Sequence, residues 1–358
     1  MIKETVEIKT LIDNKRMSTQ ELLQLISSKI EEGYTSFDVQ GCGQHNIGGS
    51  VWAKDRTQEL KFHVTNPGQR VGAMALAGTK IVVDGSAPAD VGWLNSGATI
   101  VVNGDCGDTA AHCAAGGKIY VSGRVGTRSG ALMKHDPKFE LPEFWVLKNA
   151  GSFGFEFMGG GIAVICGYDC DNLNSVLGHR SCVGMVGGTI YVRGPINDIA
   201  PCVDVQKLNE EDIIFLEAGM YSFLKEIKKD ALYNQLTVWD EWKKIVTLPA
   251  NQKPKKMSVA DFRKNVWVKD GIFGDFIKDD LVVYGLPATG NGRVRIPEWN
   301  GENCVDCKIC KNNCPKDAIS VNEKIYNSDS EKCIGCGICE AVCPKSCWKL
   351  NSNRKEIS

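Results

Sequence analysis

Short runs of β-branched and apolar residues, each bracketed by glycine, recur along the middle of the chain. Gly78-Thr-Lys-Ile-Val-Val-Asp-Gly85, Gly97-Ala-Thr-Ile-Val-Val-Asn-Gly104 and Gly117-Lys-Ile-Tyr-Val-Ser-Gly123 follow one another. The first two start 19 residues apart, and the third keeps that register from Gly116. Gly160-Gly-Ile-Ala-Val-Ile-Cys-Gly167 and Gly187-Gly-Thr-Ile-Tyr-Val-Arg-Gly194 are later copies. A fixed period of about 20 residues predicts stacked coils, each burying its apolar face on its neighbours. Glycine suits the positive-φ corners where such a chain turns. One strand per turn, with another segment between strands, predicts a parallel β-helix. The alternative is a β-sandwich of regular hairpins, but Asn-Gly-type turns do not separate these strands. Residues 134–150 interrupt the period and read as an inserted loop.

The flanks carry helical patterns. Ser18-Thr19-Gln20-Glu21 has the form of a capping box, and Leu22, Leu23, Leu25, Ile26 and Ile30 give the apolar face that follows it. Gly33 is the expected stop. A second helix is predicted over residues 209–230, opened by Asn209-Glu-Glu-Asp and faced by Ile213, Ile214, Leu216, Met220, Phe223 and Leu224. The signals from 231 to 300 are mixed, and the Gly-Leu-Pro-Ala-Thr-Gly-Asn-Gly run at 285–292 reads as loop. The expected division is therefore an α/β preamble (1–37), the glycine-rich repeats (38–200), a partly helical connecting arm (201–297) and a small α+β tail (298–358). The fold class is mostly β.

Composition narrows the function classes. With 358 residues and 43% hydrophobic content the chain can bury a sizeable core. A net charge of −1 provides no global basic field to draw nucleic acid or an anionic membrane. The start, Met1-Ile2-Lys3-Glu4, lacks the apolar stretch of a secretory signal. No apolar run approaches the roughly 18 residues of a membrane-spanning helix. A cytoplasmic protein is expected, and there the 16 cysteines stay reduced and read as metal ligands before disulfides.

The cysteines of the tail fall in two copies of one pattern. Cys304-Val-Asp-Cys307-Lys-Ile-Cys310-Lys-Asn-Asn-Cys314-Pro315 and Cys333-Ile-Gly-Cys336-Gly-Ile-Cys339-Glu-Ala-Val-Cys343-Pro344 are both C-x2-C-x2-C-x3-C-P. In this spacing three cysteines bind one [4Fe–4S] cluster and the fourth crosses to the other. The predicted sets are Cys304, Cys307, Cys310 and Cys343 for one cluster, and Cys333, Cys336, Cys339 and Cys314 for its partner. A structural zinc site needs only four cysteines and does not repeat an eight-ligand pattern. Ile309, Gly335, Gly337 and Ile338 between the ligands let backbone amides reach the sulfurs. With every ligand a thiolate there is no open position for substrate, so the expected task is one-electron relay. Cys347 is read as a spare buried thiol.

The other candidates carry weaker patterns. Cys42, Cys106, Cys113, Cys166, Cys170, Cys182 and Cys202 form no repeated ligand set, and buried free cysteine is common in cores. Cys166 and Cys170 keep a metal pair open as an alternative. His45, His63, His112, His135 and His179 are scattered through the repeats without a nucleophile–base–orienter grouping, so no catalytic residue is expected. Gly41-Cys-Gly-Gln-His-Asn-Ile-Gly48-Gly49 resembles a dinucleotide fingerprint only in part. Its third glycine is misplaced, and strand-like rather than helical sequence follows.

The repeats resemble the Gly-x-Gly-x-Gly domain at the carboxyl end of the glutamate synthase large subunit. Residues 107–128, from Gly107-Asp-Thr-Ala-Ala-His through Gly126-Thr-Arg128, carry the resemblance, together with Gly151-Ser-Phe-Gly-Phe-Glu-Phe-Met-Gly-Gly-Gly-Ile-Ala-Val-Ile-Cys-Gly167. The C subunit of formylmethanofuran dehydrogenase has a similar domain, and the tail resembles bacterial two-cluster ferredoxins. The resemblance implies a right-handed β-helix that acts as a spacer between glutaminase and flavin domains and contributes shape rather than catalytic groups. Ile2 stands where a family glutaminase has its nucleophilic cysteine, and the chain has no room for a flavin barrel beside these parts. The implied picture is an electron-transfer and scaffold subunit of a split, archaeal-type glutamate synthase. Its partners would be an FMN- or FAD-containing subunit, a glutaminase-type subunit and a subunit that oxidises NAD(P)H or ferredoxin. The alternatives are the equivalent subunit of a formylmethanofuran dehydrogenase-like or flavin-based bifurcating complex, and a pure assembly scaffold.

Overall fold

The computed structural model describes residues 4–49, 59–249, 251–252, 297–314, 316–329, 332–333 and 337–350. They belong to two compact units, Met1–Leu286 and Pro287–Ser358.

The first unit opens with strand β1 (Val6–Lys9) and a tight hairpin of β2 (Leu11–Ile12) and β3 (Lys15–Arg16). Helix α1 (Thr19–Glu31) follows, with its capping box formed. The Glu21 backbone N–H donates to Ser18 Oγ at 3.2 Å, and the Ser18 N–H donates to the Glu21 carboxylate at 2.7 Å. Leu22 and Ile26 on its apolar face are fully buried.

The repeats then contribute β4 (Ser36–Gln40), β5 (Leu60–Thr65), β6 (Thr79–Asp84), β7 (Ser96–Val102), β8 (Gly116–Val121), β9 (Glu143–Val146), β10 (Gly159–Ile165) and β11 (Gly187–Arg193). From β1 through β4 to β11 each strand pairs parallel with the next in chain order. Parallel pairing in sequence order excludes the hairpin sandwich, because hairpins make antiparallel neighbours. Ile81 faces Ile100, and Ile100 faces Ile119, so the 19-residue step of the sequence is the register of the ladder. The column continues through Phe144, Ala163 and Ile190, all buried.

The segments between strands are stacked as well. The backbone N–H of Arg70 donates to Ala89 O at 2.9 Å, that of Asp90 to Asp108 O, that of Thr109 to Thr127 O, and that of Arg128 to Ser152 O. All four donor residues sit at φ between 56° and 64°. Left-handed backbone costs a non-glycine residue about 1–2 kcal/mol. The coil-to-coil hydrogen bonds, which satisfy groups that burial would otherwise leave unpaired, offset it. Corners expected to need glycine are thus shared with ordinary residues. Gly117 is an exception with no substitute: it sits at φ 76°, and a Cβ there would fall inside the Ala98 backbone.

Residues 134–150 are not simply an inserted loop, because β9 lies within them and joins β8 to β10. Glu143-Phe144-Trp145-Val146 has no flanking glycines and pairs 25 residues after Lys118 rather than 19, so it escapes the periodic pattern. Full burial of Phe144, Trp145 and Val146 selects it. The stretch after residue 200 also adds to this unit. Strand β12 (Val203–Gln206), helix α2 (Glu210–Glu226), a short α3 (Tyr233–Leu236) and β13 (Trp242–Thr247) follow. β13 inserts antiparallel between β11 and β12, which makes an eleven-stranded mixed sheet among the described residues.

Helix α2, capped by Asn209, covers the outer face of this sheet. Its Leu216, Met220, Phe223 and Leu224 form a second core with Val101, Tyr120, Trp145, Val164 and Tyr191. Gly219 lies where a Cβ would enter the Trp145 ring. The Tyr191 hydroxyl and the Lys244 ammonium both donate to the Asp212 carboxylate at 2.7 Å, which ties the helix start to β11 and β13. Residues 253–296, including the expected loop at 285–292, lie outside the described residues.

The second unit is small. β14 (Pro297–Trp299) pairs antiparallel with β17 (Trp348–Leu350), and β15 (Ile319–Asn322) with β16 (Ile325–Ser328). Two short helices, α4 (Ile309–Asn312) and α5 (Ile338–Val342), carry the cysteine motifs. Ile319, Tyr326, Trp348, Cys310 and Cys339 form its core. Among the described residues no helix is long and apolar enough to cross a membrane.

Candidate metal centre

The two cysteine motifs share a local geometry. Each enters its helix through a left-handed N-cap residue, Lys308 at φ 58° and Gly337 at φ 76°. Asp306, two residues before Lys308, is left-handed too, at φ 54°. Such reversals let closely spaced cysteines project to one side instead of following a helix or strand.

In the first motif the consequence is a pocket. Cys304, Cys307 and Cys310 line one pocket. Cys343, the last cysteine of the second motif, lines the same cavity, together with Val305, Trp299, Tyr326, Cys347 and Trp348. Sulfurs from both motifs therefore meet at one place. Among the described residues no three His, Cys, Asp or Glu side chains converge as they would on a single ion. A cubane has a different requirement: its irons sit at separate corners, so its ligands ring a cavity.

The surroundings favour a charged sulfur at Cys343 and a neutral thiol at Cys310. The Cys347 backbone N–H donates to Cys343 Sγ at 3.2 Å. Burial alone would push the Cys343 thiol up, but backbone N–H groups of Cys347 and Lys345 outweigh it and hold the thiol below its ordinary value. Burial pushes the Cys310 thiol up, opposed by the nearby Trp348 indole N–H. That indole sits close enough to oppose the burial effect, yet it meets no acceptor at hydrogen-bond geometry. The buried Nε1 atoms of Trp348 and of Trp299 are both without an acceptor. A sulfide-bearing cluster supplies what these groups lack, so the donor set and the apolar walls fit an iron–sulfur cubane.

The other predicted set is less fully placed. Cys339 is buried on α5, and Cys314 and Cys333 are half-buried. The Ala318 backbone N–H donates to Cys314 Sγ at 3.3 Å, repeating the Cys347 to Cys343 bond at the equivalent position. Cys336 lies outside the described residues. Cys347 is buried and lines the pocket, and burial, then the neighbouring Cys343, pushes its thiol up to about 11. The spacing pattern did not single out Trp299, Tyr326 or Trp348. Laying the two motifs over each other would have flagged one of them, since Cys347-Trp348 stands where the first copy has Ala318-Ile319.

The candidates in the first unit do not gather. Cys166 is packed under α2 while Cys170 belongs to the core inside the strands, and burial raises both thiols, that of Cys170 to about 11. Cys106 and Cys182 are buried, and Cys42, Cys113 and Cys202 are half-buried. His63 bridges two carboxylates on the neighbouring strands, Asp38 at 3.2 Å and Asp84 at 2.7 Å. His179 pairs with Asp198. His45 accepts from the Gln69 backbone N–H, and burial holds His112 below its ordinary value. His135 stands apart from these, with its backbone against Gly160. Gly41–Gly49 is a loop and turn, with Gly49 against the Ala73 backbone, so these glycines serve close backbone packing.

Comparison with known proteins agrees with both halves. An uncharacterised protein of Methanocaldococcus jannaschii is 31% identical over 139 residues, covering 36% of this chain and 50% of that one. The glutamate synthase [NADPH] large chain of Azospirillum brasilense is 36% identical over 117 residues, 28% of this chain and 7% of that one. The chain thus spans half or less of these curated relatives. A 4Fe-4S dicluster domain matches residues 303–347, and the GXGXG motif family matches residues 45–248, more than half of the chain. The chain belongs to the GXGXG motif family, joined here to an iron–sulfur domain of the 4Fe-4S dicluster type.

Proposed function

We propose that this chain is the electron-transfer and scaffold subunit of a multi-subunit, glutamate synthase-like oxidoreductase. It carries two [4Fe–4S] clusters, one on Cys304, Cys307, Cys310 and Cys343, the other on Cys333, Cys336, Cys339 and Cys314. The observation that carries the reading is the pocket in which Cys343 joins the three cysteines of the opposite motif. Bound there, a cluster supplies one-electron exchange with no open coordination site. The thiolates hold it, the Cys347 N–H lies against the Cys343 sulfur, and Val305, Trp299 and Trp348 keep water from one side.

The repeat unit, on this reading, is a right-handed parallel β-helix that docks partners. The 19-residue register and the stacked corners support the closed coil. Electrons pass to a flavin on a partner subunit, and a glutaminase-type subunit supplies ammonia. A separate NAD(P)H- or ferredoxin-oxidising subunit feeds the clusters. The assembly is cytoplasmic, and no disulfide joins the described cysteines.

The match to the glutamate synthase large chain covers 7% of that protein, so what it supports directly is a shared domain. This favours a second reading, in which the same subunit serves a formylmethanofuran dehydrogenase-like or bifurcating complex. Anaerobic purification of the native complex separates the two. Subunits identified by mass spectrometry, with glutamine- and 2-oxoglutarate-dependent oxidation of a reduced donor, would establish the first. An intact complex without that activity would exclude it. Clusters that dithionite fails to reduce would leave only an assembly scaffold.

A further inference from the structure

We propose that the indole N–H groups of Trp348 and Trp299 donate hydrogen bonds to the sulfur of the cluster on Cys304, Cys307, Cys310 and Cys343, and so hold it at a higher reduction potential than its partner. This rests on the cluster assignment above.

Trp348 is 1% exposed, and its Nε1 meets no acceptor. Trp299 is half-buried, and its Nε1 is likewise buried without an acceptor. A buried N–H left unpaired costs about 1–3 kcal/mol, and native structures hold few of them. Two such groups at one pocket ask for a common acceptor. The pocket they line is the one ringed by the four cysteines, and the Trp348 N–H lies by Cys310.

Their placement is built into the unit. Trp299 and Trp348 are direct partners across β14 and β17. The Trp299 ring stacks at a tilt on Tyr326, 5.6 Å between centroids. Gly301 leaves room for it, since a Cβ there would enter the Trp299 ring. The Tyr326 hydroxyl is already committed to Asp306 at 2.6 Å.

The second copy lacks these donors. The direct pair across β15 and β16 is Ile319 with Ser328. Ile319 stands five residues after Cys314 as Trp348 stands five after Cys343, and Ser328 precedes Cys333 by five as Trp299 precedes Cys304. Ile319 has no donor, and the Ser328 hydroxyl donates to Pro297 O at 3.0 Å. One backbone donor recurs in both copies, Cys347 to Cys343 and Ala318 to Cys314. The two strand pairs differ in the side chains they carry at the equivalent positions. N–H groups aimed at cluster sulfur stabilise the added negative charge of the reduced state and raise its potential. An electron delivered by an external reductant such as dithionite comes to rest at the tryptophan-lined site.

The test is a redox titration of the anaerobic full-length protein, followed by electron paramagnetic resonance, with Trp348→Phe and Trp299→Phe. Phenylalanine keeps a ring and removes the N–H. The wild type should show two midpoints. Trp348→Phe should lower the upper one alone, so that the reduced-to-oxidised ratio at a fixed potential falls about tenfold, about 59 mV for a one-electron couple. Trp299→Phe should lower it less. Electron–nuclear double resonance should find an exchangeable proton coupled to this cluster and lose it in Trp348→Phe. Full iron content with unmoved midpoints in both variants would overturn the tryptophan assignment alone. Wild-type protein without iron would overturn the cluster assignment and this proposal together. If Trp348→Phe sheds its iron, the Trp299→Phe midpoint decides.

Discussion

The glycine-rich unit and the cysteine-rich unit are both built by repetition, but they tolerate departures from the repeat very differently. In the first, each coil adds one residue to an apolar column and one hydrogen bond to each stacked corner. A coil can then lack glycines, as β9 does, or lengthen its step to 25 residues, provided its inward side chains fill the column. Gly130 and Phe155 show the same accommodation, the ring occupying the place a Gly130 Cβ would take. In the second unit, the repeated feature is a cysteine motif, and the first copy lines a pocket with Cys343 of the second. There a single change outside the cysteines, tryptophan for isoleucine at the equivalent position, keeps the strand pairing and places an indole in the pocket lining.

The largest effect that would break this comparison is in the ligands. Cys304→Ser and Cys343→Ser, one from each motif, should each remove about half of the bound iron, and the same resonance component in both cases. Loss of different components would show that the motifs do not share a cluster. Next is the outer core of the sheet unit. Trp145→Ala should cost about 3–5 kcal/mol in denaturant unfolding, because the ring is fully buried against Phe215 and Phe223. Iron content should stay unchanged. Gly117→Ala should cost about 1–3 kcal/mol, from left-handed strain and the approach of the Ala98 backbone. An unchanged unfolding midpoint would mean the coil relaxes freely there.

The smallest effect is a pH dependence at His63. Asp84 and then Asp38 raise the His63 pKa above 6.5, while Asn103 and His63 lower that of Asp84 below 3.8. A raised histidine contributes stability below its unfolded pKa and loses it as pH rises through the folded value. A lowered carboxylate contributes above its unfolded pKa and loses it as pH falls. The bridge is therefore most stabilising between pH 3.8 and 6.5. His63 is 45% exposed, so solvent screening limits it to about 0.5 kcal/mol. His63→Gln should narrow its stability difference from the wild type as pH rises above 6.5. A constant difference across that range would remove the bridge from the account.

Much of this molecule was legible before its fold was known. The capping box at Ser18 and the helix start at Asn209 involve groups three residues apart, so local order suffices to form them. The 19-residue period reappears as strand register from Ile81 through Ile100 to Ile119, because repeats of equal length stack in step. The missed elements were those selected by distant partners. β9 is a strand because β8 and β10 flank it, and β13 joins the sheet by pairing with β11 and β12, not through any pattern of its own.

The cysteine spacing alone specified what kind of centre the tail holds, since three closely spaced thiolates and a fourth before proline are a local geometric requirement. Which residues line the Cys304 pocket was decided only when the chain closed on itself. Cys343 reaches the Cys304 pocket across the unit, and Trp299 faces Trp348 from the opposite end of the module. Spacing along a chain fixes neighbours within a turn or two. Contacts between residues dozens apart depend on strand register and burial, which exist only in the folded protein.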